Sequence, residues 1–301
     1  MSSLWSRIRG KSPEPDKASE RWRSTLRAAS QVPYYARWKR ELNRARQAAT
    51  AEARAEALRR LPEVELDYFF HHFRGFREKD DSAGKPREAR SLWPTESRIA
   101  VIAPWFHVGG GAKLLLKPDS AELRKYAPDV IAAPVDALET IAAAGDWPQD
   151  TSLFALVALV GVGTPLLSPV ARLRLWRAFG VPVYVHLRGF QGELLARECE
   201  AHDGLHFESA DVFIERRPSG ELLLTSLDNQ RHPVVRLASR LEASLAMSVC
   251  GCGLATPRLM DLQPAKGRGP VHAPPAQPSL SALAAAVGET QGAPAETPAP
   301  H

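Results

Sequence analysis

The 301-residue chain contains only three cysteines, and each sits close to another potential metal ligand. Cys199 stands seven residues before His206, and Cys250 and Cys252 form a Cys-x-Cys pair in Cys250-Gly251-Cys252-Gly253. Thiolate and imidazole are the ligands that zinc takes in tetrahedral sites. The two glycines let both thiols of the pair turn toward one ion. Four protein ligands close the coordination sphere, so the chemistry expected of Cys199, His206, Cys250 and Cys252 is structural Zn2+, whose binding energy becomes folding energy. An odd number of cysteines argues against a disulfide framework. Two other readings stay open at this point: three ordinary thiols, or Cys199 acting as a nucleophile beside His206.

Other reactive-looking groups have plainer explanations. Adjacent His71 and His72 fall on a helical stretch, where neighbours point in different directions, so one buried and one surface histidine is expected. Gly109-Gly110-Gly111 lacks the spacing of a dinucleotide-binding turn and reads as a flexible turn. A Gly-x-Ser-x-Gly elbow is absent, which leaves a hydrolase without its serine nucleophile.

The elements that must position the cluster follow from hydrophobic patterning. Helix is expected from about residue 20 to Pro33, over 38–60, and over 63–73, where Leu61-Pro62 separates the last two. Buried strands are expected at 98–103, 113–117, 129–134, 153–160 and 181–187, with helices at 120–126, 135–144 and 167–179 between them. This alternation predicts βαβ units, hence an α/β fold with a mainly parallel sheet flanked by helices. Beyond residue 205 the pattern changes to short alternating strands: 211–216 and 221–226 around Pro218-Ser219-Gly220, then 232–237. They predict a small antiparallel β unit pinned by the zinc. The division expected is a disordered segment at 1–20, a helical region at 21–76, the α/β core at 77–197, the β unit at 198–262 and a disordered Pro/Ala-rich tail at 263–301. Within that tail, 280–287 could form a transient helix or a docking peptide.

The formal charge of +5 is concentrated in the first sixty residues, where arginines alternate with Glu41, Glu52 and Glu56 at helical spacing. No aromatic platform accompanies them, so a solvated helix face is expected and nucleic-acid binding is not. The longest apolar stretch, around 153–162, is far shorter than the roughly 18–20 residues of a membrane span. No signal-like apolar segment follows the N-terminus, which points to the cytoplasm.

Several stretches together resemble the phenylacetate–coenzyme A ligases of the adenylate-forming superfamily. Glu198-Cys199-Glu200-Ala201-His202-Asp203-Gly204-Leu205-His206 matches the family's E-C-E-x-x-D-G-x-H pattern. Gly220-Glu221-Leu222-Leu223-Leu224-Thr225 is similar to its G-E-L-V-x-T strand, His232-Pro233-Val234-Val235-Arg236 to its P-L-I-R-Y strand, and Cys250-Gly251-Cys252-Gly253 to its C-P-C-G loop. Val32-Pro33-Tyr34-Tyr35 and Gly161-Val162-Gly163-Thr164-Pro165 resemble its N-terminal region and its G-A-E-P turn. The resemblance implies the large-domain fold of these enzymes, a structural zinc on the four Cys/His positions, and an ancestral reaction that activates a carboxylic acid with ATP/Mg2+ and passes the acyl group to CoA. It also implies that Gly163, Gly189, Glu193 and Arg236 are remnants of the nucleotide and acyl site.

The chain departs from the family where the chemistry is done. Asp81-Ser82-Ala83-Gly84-Lys85-Pro86 keeps only the Gly-Lys-Pro end of the phosphate loop. Leu187-Arg188-Gly189-Phe190-Gln191-Gly192-Glu193 replaces a Tyr-Gly-x-Ser/Thr-Glu motif, and Glu193 fits the magnesium position only after a register shift. Leu241 falls where an aspartate should bind the ribose, and a proline-rich tail stands where the lysine-bearing lid domain is expected, so the lid is taken as absent. Losing phosphate, magnesium, ribose and lid contacts together should abolish adenylation. The expectation is a degenerate, non-catalytic binding or regulatory protein whose partner is another protein or a small carboxylic acid. The alternatives are an active AMP-forming ligase with atypical motifs, or a fragment completed in trans.

Overall fold

The computed structural model of the chain describes residues 15–77, 97–104, 108, 111–145, 147–148, 151–161, 164–189, 192–207, 211–227 and 232–266. One eleven-stranded sheet runs through it: β1 (Ile99–Ile102), β2 (Ala112–Leu115), β3 (Val130–Pro134), β4 (Ala155–Gly161), β5 (Val183–Arg188), β6 (Leu194–Glu198), β7 (Leu205–His206), β8 (Val212–Arg216), β9 (Glu221–Ser226), β10 (Leu237–Ala246) and β11 (Arg258–Pro264). Their spatial order is β2-β1-β3-β4-β5-β6-β7-β11-β10-β9-β8. Pairing is parallel from β2 to β5 and antiparallel from β5 to β8.

The sheet is therefore mixed, not mainly parallel, and the antiparallel strands continue the parallel ones instead of forming a separate sheet. The join is the tight β5–β6 turn, where the Gly189 N–H donates to the Glu193 carbonyl at 2.8 Å. A Cβ at Gly189 would collide with the Glu193 side chain.

The parallel half is built from runs such as Ala-Leu-Val-Ala-Leu-Val-Gly in β4, buried along their whole length, as strands covered on both faces must be. On one face lie α5 (Ser120–Tyr126), α6 (Val135–Ala143) and α7 (Pro169–Phe179), which contribute Leu123, Leu138, Ile141, Leu175 and Phe179 to the main core. Helix α7 has clear ends. The Ser168 hydroxyl accepts from the Ala171 N–H at 3.1 Å, and Gly180 closes the helix at φ 69°. On the opposite face Ile99, Val101, Val130, Val157, Leu159 and Tyr184 share an apolar cluster with Cys199 and Cys250.

The N-terminal layer comprises α1 (Pro15–Ala29), α2 (Lys39–Gln47), α3 (Ala51–Leu58) and α4 (Leu66–His71). The single helix expected over 38–60 is two, because Thr50 takes an extended conformation and its hydroxyl caps α3 by accepting from the Ala53 N–H at 3.2 Å. His71 and His72 are both exposed, with His72 stacked on Tyr68 at 4.0 Å. Trp22, Leu26, Tyr35, Leu42, Phe69 and Phe76 of this layer pack on Leu227, Val234, Val235 and Leu237. The Tyr35 hydroxyl accepts from the Val235 N–H at 2.8 Å and donates to its carbonyl at 3.1 Å. The strand expected at 232–237 does not form, since this docking takes its backbone and Arg236 turns left-handed at φ 59°. The next strand begins at Leu237, which bridges Val64.

Candidate metal centre

Two tight turns bring the four predicted ligands together. The first joins β6 to β7. There the His202 N–H donates to the Cys199 carbonyl at 3.0 Å, and Gly204 has φ +81°. A Cβ on Gly204 would lie 2.7 Å from the Leu259 carbonyl, so the turn needs glycine at this point. The second joins β10 to β11. The Gly253 N–H donates to the Cys250 carbonyl and the Cys250 N–H to that of Leu254, at 2.8 and 2.9 Å. The ends of the two turns are held in register by Arg258 of β11 opposite His206 of β7.

The ligand atoms of Cys199, His206, Cys250 and Cys252 all lie within 4.8 Å of one another. Cys199 Sγ and Cys250 Sγ are 3.6 Å apart, and Cys252 Sγ is 3.5 Å from His206 Nε2. Zinc–sulfur bonds of about 2.3 Å in a tetrahedron set sulfur pairs about 3.8 Å apart. The spacing thus fits one ion of zinc's size. Cys199, Cys250 and His206 are buried and Cys252 is partly so, as a closed site requires. Burial pushes the Cys199 thiol up to about 12, so a bound cation would have to displace its proton. Burial also opposes ionisation of Cys250, but the Cys252 N–H, the neighbouring thiols and the Arg258 charge outweigh it and pull that thiol down.

Glu198 links this centre to helix α7. Its carboxylate accepts from both terminal nitrogens of Arg172 at 3.0 Å, and from the Val185 N–H at 2.9 Å. His202 Nδ1 lies 3.2 Å from the same carboxylate, and its ring stacks on Tyr184 at 5.1 Å. Beside this network an open groove of about 490 Å³ is lined by Leu167, Leu173, Trp176, Pro182, Arg172 and His202, among others.

The remaining predicted site residues do not join the cluster. Gly163 and the 81–86 loop lie outside the described residues. Gly189 and Glu193 flank the β5–β6 turn. Arg236 is buried and fixed elsewhere: Nη1 donates to the Leu61 carbonyl at 2.7 Å, Nε to Glu215 at 3.1 Å and Nη2 to Glu63 at 3.2 Å. Leu241 lies in the main core, with its backbone paired to Pro264. Sequence reasoning missed Thr256 and Arg258, which touch the cluster's turns. The only signal for them was their place directly after the Cys-x-Cys pair.

No family model matches the chain, and no curated protein matches it. Among solved structures it aligns with an open conformation of 2-hydroxyisobutyryl-CoA ligase in complex with 2-HIB-AMP and CoA. The TM-score is 0.61 at 18% identity, over 82% of this chain and 69% of that one. The postadenylation state of the same ligase with 2-HIB-AMP gives a TM-score of 0.61 at 17% identity, over 86% and 70%. Its thioesterification state gives 0.58 at 17%, over 81% and 66%. The chain thus spans about two-thirds of that ligase's length and shares its α/β fold over the aligned part.

Proposed function

We propose that this chain is a non-catalytic relative of the AMP-forming acid–CoA ligases, of the phenylacetate–CoA ligase kind, and that it works as a binding or regulatory protein. In this reading a structural zinc on Cys199, His206, Cys250 and Cys252 holds the β6–β7 and β10–β11 turns together. The observation that carries the reading is the Arg236–Leu241 stretch. Arg236 is consumed by Leu61, Glu63 and Glu215, and Leu241, 3% exposed, stands in the core where the family pattern places a ribose-binding aspartate. A leucine side chain accepts no hydrogen bond. The ligand that suits the ancestry is a small carboxylic acid, and a protein partner is the other candidate. The protein would act in the cytoplasm.

Calorimetry of the zinc-loaded chain with ATP and AMP, with magnesium present, tests this. No heat at millimolar nucleotide is the expected result. Micromolar binding would overturn it in favour of an active ligase, which pyrophosphate exchange with aryl acids would then detect. That second reading has one observation on its side, the fold shared with a ligase captured with 2-HIB-AMP and CoA.

A further inference from the structure

Two polar side chains outside the ligand set grip the metal cluster from its β11 side. Thr256 Oγ1 is 2.8 Å from His206 Nδ1, while His206 Nε2 faces Cys252 Sγ at 3.5 Å. If Nε2 is the metal-binding nitrogen, Nδ1 carries the proton and donates it to the Thr256 oxygen. The hydroxyl therefore selects both the tautomer and the ring orientation.

Arg258 lies in register with His206 and is 3% exposed. Its Nη1 donates to the Asp203 carbonyl at 2.9 Å and also pairs with the Asp203 carboxylate; its Nη2 donates to the Ser248 hydroxyl at 3.0 Å. Asp203 belongs to the turn that carries Cys199 and His206, and Ser248 stands two residues before Cys250. One guanidinium thus clamps both ligand-bearing turns. Its Nε is buried with no hydrogen-bond partner among the described residues, and the Arg258 charge favours the ionised form of the Cys250 thiol.

Charge gives this clamp a second role. Three thiolates around a dication leave one net negative charge, in a site where Cys199, Cys250 and His206 are at most 4% exposed. An uncompensated buried charge is strongly unfavourable. Asp203 is half open to solvent, its side chain 47% exposed, whereas three of the four metal ligands are buried. Arg258 is the cation positioned to offset the cluster's charge.

We infer that Arg258 and Thr256 are the positioning residues of this metal centre, Arg258 offsetting its residual negative charge while bracing both turns and Thr256 fixing His206 with Nε2 toward the ion. The inference rests on the reading of the four ligands as a zinc centre. The test is competition of the full chain with a chromophoric chelator for zinc and for cobalt(II), together with the cobalt d–d and thiolate charge-transfer bands. Arg258→Met should weaken metal binding about 10- to 100-fold, the range seen when outer partners of metal ligands are removed. Arg258→Lys, which keeps the charge and loses the fork, should recover part of that loss. Thr256→Val should weaken binding about tenfold and shift the cobalt bands, which a merely structural hydroxyl would leave unmoved. Ser248→Ala, which loosens the brace on one turn and keeps the Arg258 charge, should lose less affinity than Arg258→Met. If Arg258→Met does not fold, Arg258→Gln, which removes the charge and keeps a polar side chain, and Thr256→Val decide the matter. Wild-type affinity and spectra in both would overturn the inference and leave the zinc reading standing. A wild-type chain that binds neither zinc nor cobalt would overturn both.

Discussion

The two halves of the sheet share one apolar core and differ in the polar groups they bury. Among the described residues, the parallel strands β1, β3 and β4 bury only apolar side chains along their length, as in Ile99–Ile102 and Ala155–Gly161. From β5 onward charged and titratable groups enter the interior: His186, Arg188, Glu198, His206, Glu221, His232, Arg236 and Arg258. Before His186 the buried polar residues of the described chain are Thr25 and Ser30 alone. The parallel half closes by hydrophobic burial, which is non-directional and tolerant of substitution. The antiparallel half shares that apolar core and adds paired charges and the proposed zinc, which are directional and fail when one partner is removed. The seam lies where the Cys/His cluster covers Val157, Leu159 and Tyr184.

The largest effect should come from the metal. Purified protein should carry close to one zinc per chain, and Cys250→Ser should abolish this. Structural zinc in finger peptides is worth about 10–16 kcal/mol, so a loss of about 5 kcal/mol or more is expected after the ligands find other partners. Chelation should strip amide-exchange protection from β7, β10 and β11 while β3 and β4 retain theirs. Uniform loss across the sheet, or none, would break the comparison.

Next comes Arg236→Met. It leaves the Glu215 carboxylate, whose side chain is 10% exposed, without its guanidinium. Breaking a buried pair on one side costs about 3–5 kcal/mol. Denaturant titration should show this, and Glu215→Gln in the same chain should restore part of it. Ile131→Ala in β3, at 0% exposure and away from the cysteines, should cost about 2–5 kcal/mol by transfer and cavity terms alone. That cost should be equal with and without chelator. A metal-dependent cost would mean that the halves are not separable.

This contrast also explains what was legible in the sequence. Helix α5 was expected at its observed bounds, 120–126, because the Asp119 cap and the apolar spacing agree. β3, β4 and β5 were found within two residues by their continuous apolar runs. β6, β7, β11 and nearly all of β10 were missed, in β6 and β11 because Arg197, Glu198, Asp261 and Gln263 interrupt any apolar period; the buried Glu198 is tolerated inside through Arg172 and the Val185 N–H. The stretch 232–236 misled for the opposite reason. Its apolar residues serve Tyr35 and the helical layer, a long-range contact that no local pattern encodes. The four metal ligands were legible because cysteine is scarce in this chain. Arg258 and Thr256 were not, since arginine and threonine are common and their role exists only once two turns meet.

The smallest predicted effect sits on the seam itself. His186 of β5 pairs with Leu159 on the parallel side and Arg197 on the antiparallel side. It is 1% exposed, and burial, then the Arg188 and Arg197 charges, hold it well below the ordinary histidine value. Arg188 Nη2 donates to its Nδ1 at 3.0 Å, so the folded protein keeps the ring neutral. The unfolded chain takes up a proton below about pH 6.5, which the folded chain refuses, so stability is present above that pH and is lost as pH falls. Between pH 6.5 and 5.5 this one group should cost about 1 kcal/mol. His186→Asn keeps an acceptor for Arg188 and cannot titrate, so its stability curve should be flatter than wild type over that interval. Metal release in acid affects both proteins alike, and the difference between their curves isolates the histidine. Parallel curves would mean that His186 is protonated in the fold, and the seam would then carry a charge that the polar half must also neutralise.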